Sequence, residues 1–388
     1  MGDPDFLIRQ DSGYIIRESK MSRRVNEKDH PEILLQLQTY GWLYQNTFGV
    51  PAATLEVHNG AGEIVEVPRI GAAILAELSN LKQIKERAVE PFSAVGWSKC
   101  DSCPFRSHCW TQAEETRAAA LIYGVDEGLA AALHAQGTDT VEQLLSSFSE
   151  QMLSEFKRPW GARMQRVGKT AAQIMVMARA LASGKEIILQ TPQIPAHDNY
   201  VMFDLEGMPP QLDELDKVYL WGMQVFGKKP SSYLPAVAAF GADGEREGWQ
   251  QFLRLARMLF AEYGEIPFVH WAAYEPTHIK TCIGRYGDPD SIGQRVIENL
   301  LDLLPVTRQA IALPLPSYSL KVVEKYVGFR RTQDEYGGDW SMAKFIEATE
   351  MEDERERADV MDLILKYNEE DLAATWAVLN WLRSIRLN

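Results

Sequence analysis

The run Tyr200-Val201-Met202-Phe203-Asp204-Leu205-Glu206-Gly207 constrains this chain more than any other stretch. Its apolar, strand-favouring residues end in two acids one residue apart, which reads as a strand leaving a core. At a period of two, Asp204 and Glu206 project to the same face of a sheet, with carboxylates about 7 Å apart. Met202 precedes them on that face and sets the acids at the rim of the core. Like charges held there are costly unless a cation lies between them. Far downstream, Tyr367 and Asp371 stand four apart in KYNEEDLAATWAVLNWL, a segment with helical period. That spacing places them on one helix face.

With 388 residues, 46% of them hydrophobic, the chain has room for two or three domains. No apolar run reaches the roughly 18 residues of a membrane span. The polar start, Met1-Gly2-Asp3-Pro4-Asp5, lacks a signal-peptide pattern. A cytoplasmic protein with no membrane partner is the expectation. A net charge of −14 argues against a surface that is basic overall, as nucleic-acid binders usually have. A metal nuclease, however, gathers carboxylates and needs only a local basic groove. Two clusters could form one: Arg17, Lys20, Arg23, Arg24 and Lys28, then Lys157, Arg158, Arg163, Arg166 and Lys169. Either also reads as a plain solvated face. Cys100, Cys103 and Cys109 fall together, and in a reducing compartment such bunching favours a metal or an iron–sulfur cluster over disulfides. Cys282 stands apart and reads as a buried thiol.

Turn and period signals divide the chain into residues 1–110, 111–190 and 191–388. The first part begins with a β-hairpin turning at Asp11-Ser12 and a helix opened by Pro31 and running to about Thr47. Strands near 53–58 and 63–67 and a helix over 71–90 follow. From about 112 to 185 the pattern is helical throughout, broken by Gly124, Gly137 and Gly168. Helix pairs joined at such glycines are similar to helix-hairpin-helix modules, whose hairpin amides can hold a phosphate; a plain helical linker fits the same pattern. Pro192 and Pro195 mark a linker before the last part, where strands near 200–206, 218–226, 233–240 and 266–270 interleave with helices. That order predicts a mixed sheet with helical cover.

The last part supplies one more acid. A buried strand runs into His270, and Tyr274 and Glu275 follow at the start of a helix. Asp204, Glu206, Glu275 and Asp371 then form a cage of four carboxylates for two divalent ions about 3.5–4 Å apart. Oxygen ligands suit Mg²⁺ or Mn²⁺, and Tyr367 would orient the attacking water. In this order the motifs resemble the DEDD exonucleases of the RNase H-like superfamily, most closely the YprB-type domain. The resemblance covers roughly residues 198–388 and includes the helix of PSYSLKVVEKYVGF. It implies hydrolysis of DNA or RNA from a 3′ end. Many DEDD enzymes have Asn and Asp where this chain has His270 and Glu275.

The N-terminal hairpin carries a second constellation. A turn at Asp11-Ser12 sets Asp5 across from Glu18, about 5 Å apart at Cβ, close enough to share one metal. Lys20 lies on the same face, and Gln36 and Tyr40 share a face of the next helix. Pro4-Asp5, Glu18-Ser19-Lys20 and the later Gln36 and Tyr40 resemble RecB-type PD-(D/E)XK nucleases, whose core has a restriction-endonuclease-like fold, over about residues 3–110. The spacing of Cys100, Cys103 and Cys109 matches that family's four-iron site, whose fourth cysteine lies upstream of the hairpin. The expectation is therefore a truncated nuclease domain with an incomplete iron–sulfur cluster, with zinc shared with His108, or reduced thiols without metal, as the alternatives. Together these features predict an α/β chain: a partial RecB-like fold, a helical connector and an RNase H-like exonuclease domain. The alternative is a nucleic-acid-binding or scaffold subunit with decayed nuclease sites that serves a helicase or repair protein.

Overall fold

The computed structural model describes residues 3–386 apart from 12, 70–71, 97–99, 101–102, 162, 210–215, 242 and 334–336. Two compact units are present: Met1–Phe92 with Pro209–Asp216, and Ser93–Met208 with Lys217–Asn388. The cysteine segment thus packs with the C-terminal unit. Among the described residues no helix is long and apolar enough to cross a membrane.

In the first unit, β1 (Phe6–Gln10), β2 (Gly13–Ser19), α1 (Pro31–Phe48), β3 (Leu55–His58), β4 (Ile64–Val67) and α2 (Ala72–Lys85) follow in order. The strands form one sheet in the order β1-β2-β3-β4. β2 and β3 are parallel, joined through α1. Pro31 opens α1 at a position where its missing N–H is no loss. Ile33 and Leu37 of α1 pack with Ile16, Leu55, Val57 and Val67 of the sheet. The predicted hairpin register holds: Phe6 pairs with Arg17, which sets Asp5 opposite Glu18. Ser12 of its predicted turn lies outside the described residues.

The second unit begins with α3 (Arg106–Thr116), α4 (Glu127–His134), α5 (Val141–Ser147) and α6 (Glu150–Glu155). Side chains of Asp126, Thr140 and Ser149 cap α4, α5 and α6 by accepting from free first-turn amides. The next segment corrects the expectation of a helical run through 112–185. β5 (Lys157–Trp160) and β6 (Arg163–Arg166) form an antiparallel hairpin before α7 (Thr170–Ser183). Pro159 lacks the amide a helix needs, and Gly161 turns the chain at φ 56°.

The rest of the unit comprises β7 (Ile187–Ile188), β8 (Asn199–Met208), β9 (Lys217–Gly227), β10 (Leu234–Val237), α8 (Gly244–Tyr263), β11 (Phe268–His270) and α9 (Tyr274–Tyr286). After these come α10 (Ile292–Glu298), β12 (Leu300–Asp302), α11 (Leu303–Ala310), β13 (Ile311–Ala312), α12 (Leu320–Tyr326), α13 (Gly338–Glu350) and α14 (Glu354–Ser384). The main sheet runs β10-β9-β8-β11-β12, with β8 at its centre. β10, β9 and β8 are antiparallel neighbours, whereas β11 is parallel to β8 and to β12. Both faces are covered, as the near-continuous apolar run of β8 requires. Val201, Phe203 and Leu205 enter one core with Phe252 and Phe268. Tyr200 and Met202 enter the other with Leu372, Val378 and Leu379 of α14. The result is a mixed α/β fold.

Candidate active site

Asp204 and Glu206 continue the face of β8 that Tyr200 and Met202 begin, and α14 packs across this strand. There Asp371 joins them. One ligand oxygen from each of Asp204, Glu206 and Asp371 lies within 4.8 Å of the others, closer than strand spacing alone would hold two acids. Glu206 and Asp371 are buried and Asp204 is half-buried.

A β-bulge shapes this end of the strand. Glu206 pairs with Leu220 but Gly207 pairs with Val218, so Tyr219 is left over on β9. Such extra residues re-aim side chains beside active sites. The Tyr219 hydroxyl lies 3.4 Å from Glu206 Oε2 and 2.8 Å from Ser341 Oγ. The next residue, Gly207, is approached closely by the Tyr274 hydroxyl, where a Cβ would collide.

Helix α14 contributes more than its acid. Asn368 Nδ2 donates to Asp204 Oδ2 at 2.7 Å, and its Oδ1 accepts from the Tyr233 hydroxyl at 2.7 Å. Gly222, directly across from Asp204 on β9, leaves the space that the Asn368 amide occupies. Tyr367 is buried with its hydroxyl hydrogen-bonded to Asp371. Burial and then the charges of Asp371, Glu206 and Asp204 push its phenol far above the ordinary tyrosine range. It therefore stays protonated and can donate.

Electrostatics mark the cluster as short of positive charge. Burial raises the Asp204 carboxyl well above its ordinary range, with further contributions from Asp371, Glu206 and Glu275; Arg331 partly offsets them. Glu206 is raised in the same way, first by burial and then by Asp371, against relief from Lys321 and from hydrogen bonds to Ser341 and Tyr219. Acids this close can all ionise only beside a cation.

Besides Lys321, which relieves Glu206, a second protein cation bonds directly to the cluster. Arg331 binds Glu324 with two bonds of 2.8 Å and also donates to Asp371. Burial opposes its charge, but the bonds and attraction of Glu324 and Asp371 hold it above the ordinary arginine range. Neither Arg331 nor Glu324 stands out in the sequence, because the pair becomes meaningful only once α12 and α14 are packed together.

Glu275 takes a different place from the one in the predicted cage. It is buried in the first turn of α9, and its Oε2 lies 3.0 Å from His270 Nδ1 at the end of β11. The three-carboxylate group does not include it, though its charge reaches Asp204. Burial raises Glu275, the His270 hydrogen bond opposes this, and Asp302 adds repulsion. Asp302, also missed, sits across from His270 on β12. Its Oδ1 accepts from the amides of Ala272 and Leu304, each at 2.9 Å. That bond holds the turn between His270 and Glu275, where Ala272 has a φ of 74°. An acid ending a short apolar strand, as in Leu300-Leu301-Asp302, was the available signal.

In the first unit, Asp5, Glu18 and Lys20 do come together. Asp5 N donates to Glu18 Oε1 at 3.1 Å and Ser19 N donates to Asp5 Oδ2 at 2.8 Å. Lys20 Nζ lies 2.9 Å from Glu18 Oε2, and Glu18 is buried. Gln36 Nε2 donates to the Tyr40 hydroxyl at 2.9 Å. Cys100 is buried while Cys103 and Cys109 are half-exposed, all as free thiols. Among the described residues these sulfurs form no group within 4.8 Å of one another.

Residues 201–383 match the family model RNase_H_2, of the RNase H superfamily. No curated protein and no solved structure matches the chain. The match supports an RNase H-like domain over this segment, and that superfamily suggests a nuclease. The Asp204, Glu206 and Asp371 cluster lies inside it.

Proposed function

We propose that the RNase H-like domain hydrolyses phosphodiester bonds of DNA or RNA, working inward from a strand end. The observation that carries this is the convergence of Asp204, Glu206 and Asp371 within 4.8 Å. Three carboxylates crowded within 4.8 Å fit Mg²⁺ or Mn²⁺, which take oxygen ligands. Such an ion, when bound, polarises a phosphoryl oxygen and neutralises developing charge. Asn368 fixes Asp204 so that one carboxylate oxygen stays turned toward the cluster. Tyr367, held protonated, donates from beside Asp371 and can orient water there. Glu275, oriented by His270, adds its charge to the field at Asp204 from outside the three-carboxylate group.

The domain organisation we propose is a RecB-like PD-(D/E)XK part over 1–110, a connector over 111–190 that is helical apart from the hairpin β5–β6, and the exonuclease domain over 191–388. The compact grouping of Asp5, Glu18 and Lys20 supports the first of these. A second reading, a nucleic-acid-binding subunit without catalysis, is favoured by Arg331, whose guanidinium supplies Asp371 with a cation from the protein itself.

Purified protein incubated with end-labelled single- and double-stranded DNA and RNA, in Mg²⁺, Mn²⁺ or EDTA, separates these readings. Metal-dependent shortening from one end, absent in Asp204→Ala, supports hydrolysis. Binding without shortening in any metal supports the second reading. Shortening that survives Asp204→Ala but not Glu18→Ala with Lys20→Ala moves the activity to the first unit.

A further inference from the structure

We propose that the hairpin β5–β6 is a binding surface for a single strand of nucleic acid. It gathers Lys157, Arg158, Arg163 and Arg166 on ten residues, with Lys169 just beyond, in a chain of net charge −14. Only Arg158 has an ion-pair partner among the described residues, Asp126 at 3.0 Å. Lys157 and Arg166 are directly paired across the two strands. Like charges opposed at Cβ separations of about 4.5–5.5 Å destabilise a hairpin. A polyanion lying along the ribbon relieves that repulsion.

The aromatic component is Trp160, which is 59% exposed. The Arg158 guanidinium lies 4.5 Å from its ring centroid, and Arg158 is tied in turn to Asp126, the cap of α4. One ring face is thus backed by a fixed cation while the side chain stays open to solvent. Trp160 shares its face of the ribbon with Arg163, directly across from it, while Lys157 and Arg166 project from the other face. An exposed aromatic beside a cation holds a base and its phosphate, and the opposed pair holds phosphates of a strand passing around the ribbon. The ribbon is also rigidly mounted. Val167 N donates to Phe156 O at 2.9 Å and Gly168 N to Ser154 O at 2.8 Å, closing its base between α6 and α7.

The nucleic-acid class rests on the function proposed above, so the test is made on binding alone, in EDTA. The probe is fluorescein-labelled oligothymidylate longer than a site of about 4–16 nucleotides, read by fluorescence anisotropy. Lys157→Ser with Arg166→Ser is expected to weaken binding at least tenfold. It should also flatten the dependence of log K on log salt by about 1.4, at about 0.7 for each phosphate no longer neutralised. Trp160→Ala is expected to weaken binding about 5- to 100-fold, as for the removal of one stacking partner, and Trp160→Phe to keep most of it. Lys157→Arg with Arg166→Lys, which preserves the charge, is expected to bind as wild type. Arg257→Ser with Arg295→Ser removes equal charge elsewhere and should change little. Serine variants that bind as wild type, duplex bound as tightly as single strand, or polyglutamate competing as well as the oligonucleotide would each overturn the proposal. Asp204→Ala binding like wild type, with no hydrolysis by either protein in metal, would refute the catalytic reading and leave the hairpin site standing.

Discussion

Asp204 meets a neutral donor on one side and acids on the other. Asn368 binds one oxygen of Asp204, while Glu206 and Asp371 press toward it with like charge. Tyr367, hydrogen-bonded to Asp371 and kept protonated, stands where it can donate to water without being a ligand. Tyr367→Phe should therefore lower kcat about 10- to 1,000-fold, the range of a missing transition-state hydrogen bond, and leave Mn²⁺ affinity unchanged. Weaker Mn²⁺ binding with kcat intact would make Tyr367 a structural support instead. Arg331 invites the opposite expectation. Its removal leaves Glu324, which is 1% exposed, charged and unpaired. Arg331→Met should destabilise the fold by about 3–5 kcal/mol, and Glu324→Leu added to it should recover most of that loss. Chemical denaturation of both variants gives the answer. The acids of this site were legible in the sequence because strand and helix periods orient them. Asn368, Arg331 and Asp302 were not, because their roles come from neighbours 164, 40 and 30 residues away.

At the scale of elements, β8 and α14 carry the site, and their approach depends on the small residue between them. A Cβ on Gly222 would strike the Asn368 amide that holds Asp204. Gly222→Ala should cost about 1–3 kcal/mol by overpacking and slow hydrolysis by displacing Asn368. With Asn368→Ala already present, the same substitution should cost far less, a non-additivity expected of residues that touch. Additive losses in a double-mutant cycle would mean that α14 shifts and the amide does not. The strand and the late helix were recognisable from an unbroken apolar run and a helical period. The hairpin β5–β6 was not, since its described residues place no apolar side chain in a core and so carry no apolar alternation to read. Pro159 and Gly161 were its only local signs. The bulge at Glu206 was equally hidden, because it depends on how β9 pairs and not on any residue of β8.

For the whole molecule, a self-repelling carboxylate cluster is a local source of instability that a cation removes. The carboxyls of Asp204 and Glu206 are raised in the folded chain, so the folded state holds protons that the unfolded state has released. Without metal, stability should fall as pH rises from about 4, the ordinary carboxylate range, through those raised values, and stay low above them. Mg²⁺ or Mn²⁺ should restore it at neutral pH, by about 2.7 kcal/mol at a hundredfold excess over Kd. Asp204→Asn should melt higher than wild type in EDTA and gain less from metal. Melting curves that do not respond to metal in the wild type would contradict this. The most direct measurement is calorimetric titration of the intact chain with Mn²⁺ beside the Asp204→Ala, Asp371→Ala double variant. Saturable binding by the wild type and none by the variant is the expected result. Equal binding by both would contradict the assignment of these carboxylates as the metal site.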